Sequence, residues 1–514
     1  MLVDIIKMSD PGHLNPRTAE DTDNSVDTLG TGILDRAVNA TIETNILNPI
    51  SHQYDYQTGG RTIFQFPSSG VLDAPNASIT FNPTSADDKA MFPFYAGGLA
   101  MLDRATVRVG GVILSQITNV GEYATLKNQH NALGYQSNVL DVRHGSSNNF
   151  QQYVRPDVKV DEVNCSAIYN VEADQPSSWH EATPSLTNTA QPAKKLAQAK
   201  KETIECVVRL ADIFPFFKDN KLPLMAMAQV EIHLEWLPAG AIADNVNSCV
   251  TNADQASATT GVITLDSDQV RMNCDYIHYD DEEKAKIMNS VNQGMNLRFT
   301  EVVVTKGINP EAGAAGDSVQ SNHIIGMAGK EVQAIYVKKL FDVNSTKGDS
   351  EKGELGHNNA FLNQFRSQNI RREKYNWIIN NFRVYSQDVQ NTAEQHQYIS
   401  MIQPSYQPVP ASYNTMNYEA GFKEILLASD QDGGACKSQE AFLGTAHCIG
   451  LYLKKFADMG AAFQNATRIG TSPIEFSYTR EGATNNLAQV DLTFFIEYSR
   501  TLTITPLGVN VTDS

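Results

Sequence analysis

Tryptophan is scarce in this chain, 3 residues in 514, and cysteine is hardly commoner at 6. The six, Cys165, Cys206, Cys249, Cys274, Cys436 and Cys448, show no C-x-x-C spacing, which removes the usual signature of metal and redox motifs. Three of them fall inside apolar strand patterns, where cysteine behaves as a small buried hydrophobe. Reduced thiols in a protein made in the cytosol are therefore expected. No run approaches the roughly 20 apolar residues that a membrane span needs. The opening MLVDIIKMSD has a lysine but no apolar core followed by a cleavage site, so no signal peptide and no secretion are expected. Without such a signal the sequons at Asn39, Asn76 and Asn344 carry little weight.

Positive charge is also short: 40 Lys and Arg stand against 58 Asp and Glu, a formal net charge of −18. A protein that coats nucleic acid through its phosphates needs a basic surface, so no direct nucleic-acid binding is expected. The cluster Lys194, Lys195, Lys200 and Lys201 reads as a solvated loop. Catalytic signatures are missing as well, with no H-E-x-x-H, no G-x-S-x-G and no P-loop. Gly30-Thr31-Gly32 has neither a strand before it nor a helix cap after it. The expectation is a protein that is not an enzyme and holds no cofactor or metal.

What is present is β-sequence. The length exceeds that at which single cores stop growing, so two domains of roughly 200–250 residues are expected. Hydrophobic residues at 41% and charged residues at 19% suit folded domains, and 19 Tyr with 21 Phe suit a β-rich interior. Residues 1–50 have weak periodicity and read as an extended arm, whose Ile33, Leu34, Ile46, Leu47 and Ile50 would be costly to leave solvated together. Strands follow at Arg61–Phe66, Ala77–Phe81 and Thr203–Arg209, and Arg104–Leu114 reads as a hairpin turned at Gly110-Gly111. Glu122–Leu133 places Tyr123, Leu126 and Leu133 on one helical face.

The centre of the pattern is Ala211–Trp236. Phe214, Phe216 and Phe217 form an aromatic wedge pinned by Pro215, Lys218-Asp219-Asn220 makes a polar turn, and Leu222-Pro223-Leu224 returns to apolar sequence. From Val230 the chain alternates strictly to Trp236, the period of a half-buried strand. Val270–His278 is a further strand, closing at Asp280-Asp281-Glu282-Glu283 before Lys284 and Lys286. Acidic residues first and lysines later fit a helix dipole better than a metal site. A second series of strands covers Met295–Thr305, Glu331–Leu340, Trp377–Tyr385, Ala446–Phe456, Ile474–Tyr478 and Gln489–Tyr498, where Phe495 alone breaks the alternation. Polar excursions at about 134–200, 237–260, 343–374 and 404–435 interrupt both halves. Short strands punctuated by turns suggest sandwiches or barrels. The economical assignment is an all-β chain of two tandem eight-stranded antiparallel jelly rolls with long inserted loops and a few short helices. The first roll covers 51–288 and the second 289–514, after an arm at 1–50.

The order ADIFPFFKDNKLPL, a strand ending in EW, and then CDYIHYDDEEKAKIM resembles the major capsid proteins of double-jelly-roll DNA viruses. The F-P-F-x-K-D-x-x-L-P-L run is most similar to the virophage and polinton-like members, and YSRTLTITPLGVNV resembles their C-terminal strand. The resemblance extends from about residue 200 to the C-terminus, with 211–224 and 274–287 its specific runs. It implies a homotrimer with six jelly rolls about a pseudo-sixfold axis, tiling the icosahedral shell of a double-stranded DNA virus. The partners implied are further copies of the chain, penton and minor capsid proteins, and a host surface met by outer loops. The implied location is the virion capsid, after synthesis in the host cytoplasm or nucleus. Structural and interface candidates are Phe214, Pro215, Phe216, Phe217, Leu222, Pro223, Trp236, Asp275, Tyr276 and Asp280. Two rivals stand beside this reading. One is a β-sandwich glycoside hydrolase using paired carboxylates, although no Asp or Glu pair has a recognisable spacing. The other is a carbohydrate-binding β-sandwich of the attachment or lectin type.

Overall fold

Strand pairing divides the chain near residue 290. The structure, a computed structural model, describes residues 40–85, 90–91, 96–129, 206–239, 251–252, 263–312, 317–342, 365, 367, 373–390, 449–453, 467–469, 473–481 and 487–513. Before the divide lie two five-stranded sheets. Sheet I runs Ala40–Leu47, Val270–Tyr279, Ser78–Phe81, Cys206–Arg209, with Val71–Leu72 also on Val270–Tyr279. Sheet II runs Ser51–Asp55, Gly59–Gln65, Val230–Trp236, Leu102–Val109, Val112–Thr118. After the divide, six-stranded sheet III runs Met295–Asn309, Val490–Thr505, Glu331–Phe341, Ile449–Tyr452. Thr467–Arg468 and Gly508–Asp513 flank it. Four-stranded sheet IV runs Ser318–Ile325, Ile474–Glu481, Glu373–Ile379, Phe382–Arg383. Every pairing in these four sheets is antiparallel, and among the described residues none joins the two halves.

Sheets I and II close over Phe64, Phe66, Phe81, Ile232, Leu234, Met272 and Tyr276. The alternation of Val230–Trp236 does what its period requires, with Val230, Ile232, Leu234 and Trp236 buried. The side chains of Cys206 and Cys274 are buried as thiols in the same core, and burial pushes the Cys274 thiol up to about 12. The other four cysteines lie outside the described residues. A second core, between sheets III and IV, gathers Trp377, Phe476, Tyr478, Phe494 and Ile496. Inside it, Lys339 and Glu373 form a fully buried ion pair at 2.5 Å, and the Tyr478 hydroxyl donates to the same carboxylate at 2.7 Å.

Several elements differ from the sequence expectation. The Gly110-Gly111 hairpin is present, with φ of 55° and 83°. The helix near Tyr123 spans Val120–Gln129, and Leu133 lies outside the described residues. Trp377–Tyr385 is not one strand: Asn380 and Asn381 take φ of 51° and 66°, turning Glu373–Ile379 back on Phe382–Arg383. Asparagine tolerates this left-handed backbone, so an Asn-Asn pair makes a two-residue hairpin. Ser318–Ile325 is a strand that the sequence reading missed, because its mostly polar residues hide the period. Ala40–Leu47, inside the segment read as an arm, pairs along its whole length with Val270–Tyr279. Leu47 packs against the core, whereas Ile46 stays 61% and Ile50 58% exposed. Ile33 and Leu34 lie outside the described residues.

Candidate structural site at the seam between the sandwiches

The aromatic wedge is built by two single helical turns, Leu210–Ile213 and Phe216–Asp219. Lys218 and Asp219 therefore belong to a helical turn, not to the polar turn expected. Pro215 explains this: it caps the second turn at φ −55°, where its ring is pre-set for helix and its missing donor costs nothing. Asn220 closes the turn, its side-chain amide donating to the Phe216 carbonyl at 2.9 Å. Phe214, Phe216 and Phe217 are fully buried and meet edge to face, Phe214 on Phe217 at 5.5 Å and Phe216 on Phe217 at 5.1 Å. Phe216 then stands edge-on at 4.8 Å to Phe299, on the first strand of the second sandwich. The wedge is thus a plug between the two halves of one chain.

The other candidates occupy supporting positions. Leu222 is bridged to Leu72 by two backbone hydrogen bonds of 2.8 and 3.1 Å. Pro223, also buried, leads into the 3-10 turn Leu224–Ala226. Trp236 packs edge-on against Phe81 at 5.2 Å, and its indole donates to Thr62 Oγ1 at 2.7 Å. Asp275 accepts from the Thr44 hydroxyl at 2.7 Å, tying Ala40–Leu47 to its neighbour. Tyr276 is buried and its phenol is pushed up, chiefly by desolvation. Asp280 caps the Asp281–Asn292 helix by accepting from the Glu283 amide at 3.0 Å, as its acidic run predicts. Of these ten residues the structure brings the three wedge phenylalanines to the seam; Asp275, Tyr276 and Asp280 serve sheet I and its closing helix. His233 is buried on its strand and bonded to Glu231 at 2.9 Å and to Arg61. His278 bonds Glu43 at 2.9 Å.

A polar half of the seam escaped the sequence reading. The Tyr123 hydroxyl donates to Glu497 at 2.5 Å, and the Tyr123 ring lies 5.8 Å from Phe495. Glu122 pairs with Lys338 at 2.7 Å, and the Ser115 hydroxyl donates to Glu301 at 3.0 Å. The signal was Phe495 itself. Val490–Thr505 is buried on both faces over much of its length: Leu492, Phe494 and Ile496 enter the second core, and Phe495 joins the first. A strand covered on both sides reads as a run instead of an alternation. Among the described residues no group of three His, Cys, Asp or Glu side chains could hold a metal ion. No described helix is long and apolar enough to cross a membrane.

No family model matches the chain, and no curated protein matches it by sequence. Solved structures do. A chain of the Sputnik virophage, determined by cryo-electron microscopy, is similar over 92% of this chain and 88% of its own, with a TM-score of 0.52 at 11% identity. The Faustovirus major capsid protein covers 91% of each chain at a TM-score of 0.49 and 10% identity. The mavirus major capsid protein covers 92% of this chain and 90% of its own, at 0.43 and 10%. Two antiparallel sandwiches in tandem, mated along a buried seam and superposable on the virophage chain over nearly its whole length, give this protein the double-jelly-roll fold of viral major capsid proteins.

Proposed function

We propose that this protein is the major capsid protein of a double-stranded DNA virus, a structural subunit that assembles as homotrimeric, pseudo-hexameric capsomers. The observation that carries the reading is the pairing of two jelly rolls in one chain through a seam with its own aromatic core. Two similar sandwiches held side by side give each subunit two of six quasi-equivalent corners, so a threefold axis makes a hexagonal tile from heterologous contacts that close on themselves. The rolls are 51–288 and 289–514, with Ala40–Leu47 added to the edge of the first. Negative charge suits a shell that encloses DNA without coating it. The carbohydrate-binding alternative needs an exposed aromatic platform, and two of the three tryptophans, Trp236 and Trp377, are buried.

The partners are further copies of the chain, with penton and minor capsid proteins at shell vertices and seams, and the location is the virion. Sedimentation of the purified protein at micromolar concentration, with negative-stain imaging, tests the proposal. Threefold particles with interfaces above roughly 2,000 Å² each are expected, the range of obligate contacts. A monodisperse monomer overturns it.

A further inference from the structure

We propose that the seam between the two jelly rolls is a proton-sensitive joint, closed when Glu301 is neutral and loosened when its carboxyl ionises. This goes beyond the capsid reading and needs only the fold of a single chain. Glu301 sits on Met295–Asn309, the second-roll strand that faces the first roll, and is 3% exposed. One oxygen accepts from the Ser115 hydroxyl at 3.0 Å and the Gln116 amide at 3.3 Å, both on the first-roll strand Val112–Thr118. The other oxygen is buried without a hydrogen-bond donor. The nearest cation is Arg500, whose Nη1 stands 3.7 Å away. That guanidinium is already engaged, since its Nε donates to Asp513 on the C-terminal strand at 2.9 Å.

The surroundings add little that favours a charge on Glu301. From Val490–Thr505 come Glu497, itself buried and holding the Tyr123 phenol, and Tyr498, the cross-strand neighbour of Glu301. From Val120–Gln129 come Tyr123 and Glu122, and from Glu331–Phe341 come Tyr336 and Lys338, the lysine paired with Glu122. Lys306 lies farther along the strand of Glu301 itself, and Val112–Thr118 offers no charged residue. Lys338 is thus taken by Glu122 across the seam, and Arg500, the cation nearest Glu301, is shared with Asp513. A charge buried without a full partner is costly, and the group neutralises instead.

Burial accordingly pushes the Glu301 carboxyl up to about 7, against the smaller opposing pull of Ser115 and Arg500. The folded chain therefore holds a proton that the unfolded chain, with a carboxyl near 4.5, releases. Stability from this group is fully present below the unfolded value and is lost as pH rises through about 7. The joint is tightest in mild acid and loosest in mild alkali.

Thermal unfolding and amide hydrogen exchange of the intact protein between pH 5.5 and 8.5 test this, with Glu301→Gln as the neutral mimic. In the wild-type chain the folded-to-unfolded ratio falls by up to about tenfold per pH unit from pH 5.5 towards about 7, while the folded chain alone holds the proton, and levels off above that. Exchange at 115–123 and 299–302, corrected for the intrinsic pH dependence, should rise in parallel. Glu301→Gln should remove that part of the slope and keep these segments protected at pH 8.5. An unchanged slope in Glu301→Gln, or a pH-dependent opening that spares both segments, overturns the proposal. Should the variant fail to fold, the carboxyl signal of Glu301 in ¹³C-labelled wild-type protein decides: a midpoint near 7 supports the joint and one near 4.5 overturns it.

Discussion

Phe216 links the wedge to the second sandwich, because its ring meets Phe217 on its own turn and Phe299 across the seam. Truncating it removes a fully buried ring from a site lined by other rings, which cannot collapse without moving a helical turn or a strand. Phe216→Ala should cost about 3–5 kcal/mol, the usual range for emptying an aromatic core site. Denaturant unfolding measures this, and a midpoint close to wild type would show that the seam does not depend on the wedge. Lys339, Glu373 and Tyr478 form the opposite kind of buried site. Such a pair gains little over an apolar replacement, yet losing one partner leaves an uncompensated charge.

At the scale of elements, local sequence is most legible where it carries its own punctuation. Asp280 and the three acids after it mark a helix start, and the Asp280 carboxylate accepts the Glu283 amide as the pattern requires. Lys286 adds pairs to Glu282 and Glu283, at 3.4 and 2.9 Å. Those pairs are largely exposed on the lysine side and weigh little; the cap carries more. Asp280→Ala should lower stability by about 0.5–2 kcal/mol, whereas Asp280→Asn, also a capping residue, should cost much less. Equal losses in the two variants, read by thermal melting, would point to the charge and not to the cap. Legibility fails where an element has no local signature. Ser318–Ile325 is polar and half-solvated, and Ala40–Leu47 is an edge strand whose outer side carries Ile42 and Ile46 at 70% and 61% exposure. Only the neighbour, Val270–Tyr279, makes the latter a strand.

At the scale of the whole molecule, the first described strand begins at Ala40, which separates two truncations. Removing residues 1–39 leaves in place every pairing of sheet I among the described residues, so the thermal midpoint should not change. On the capsid reading, trimers should persist while shell assembly suffers. Removing residues 1–47 strips all eight register partners from the edge of Val270–Tyr279 and the Thr44–Asp275 bond with them, and the midpoint should fall. Ultracentrifugation counts the trimers and electron microscopy the shells. Normal shells from the shorter deletion would make that segment dispensable.

By itself the sequence determined the β class, the division into two sandwiches, the position of the wedge and the cap at Asp280. Each of these rests on local period, turn chemistry or capping, which act over a few residues and are written where they act. Tertiary structure alone decided what the wedge plugs, why Phe495 breaks the alternation, and that across the seam Glu301 meets Ser115, Glu497 meets Tyr123 and Glu122 meets Lys338. Tyr123 and Glu497 alone are 374 positions apart in the chain. A carboxylate on a strand looks like any solvated acid until a second sheet is laid over it. Its desolvation, and hence its chemistry, comes from that covering and not from its neighbours in sequence.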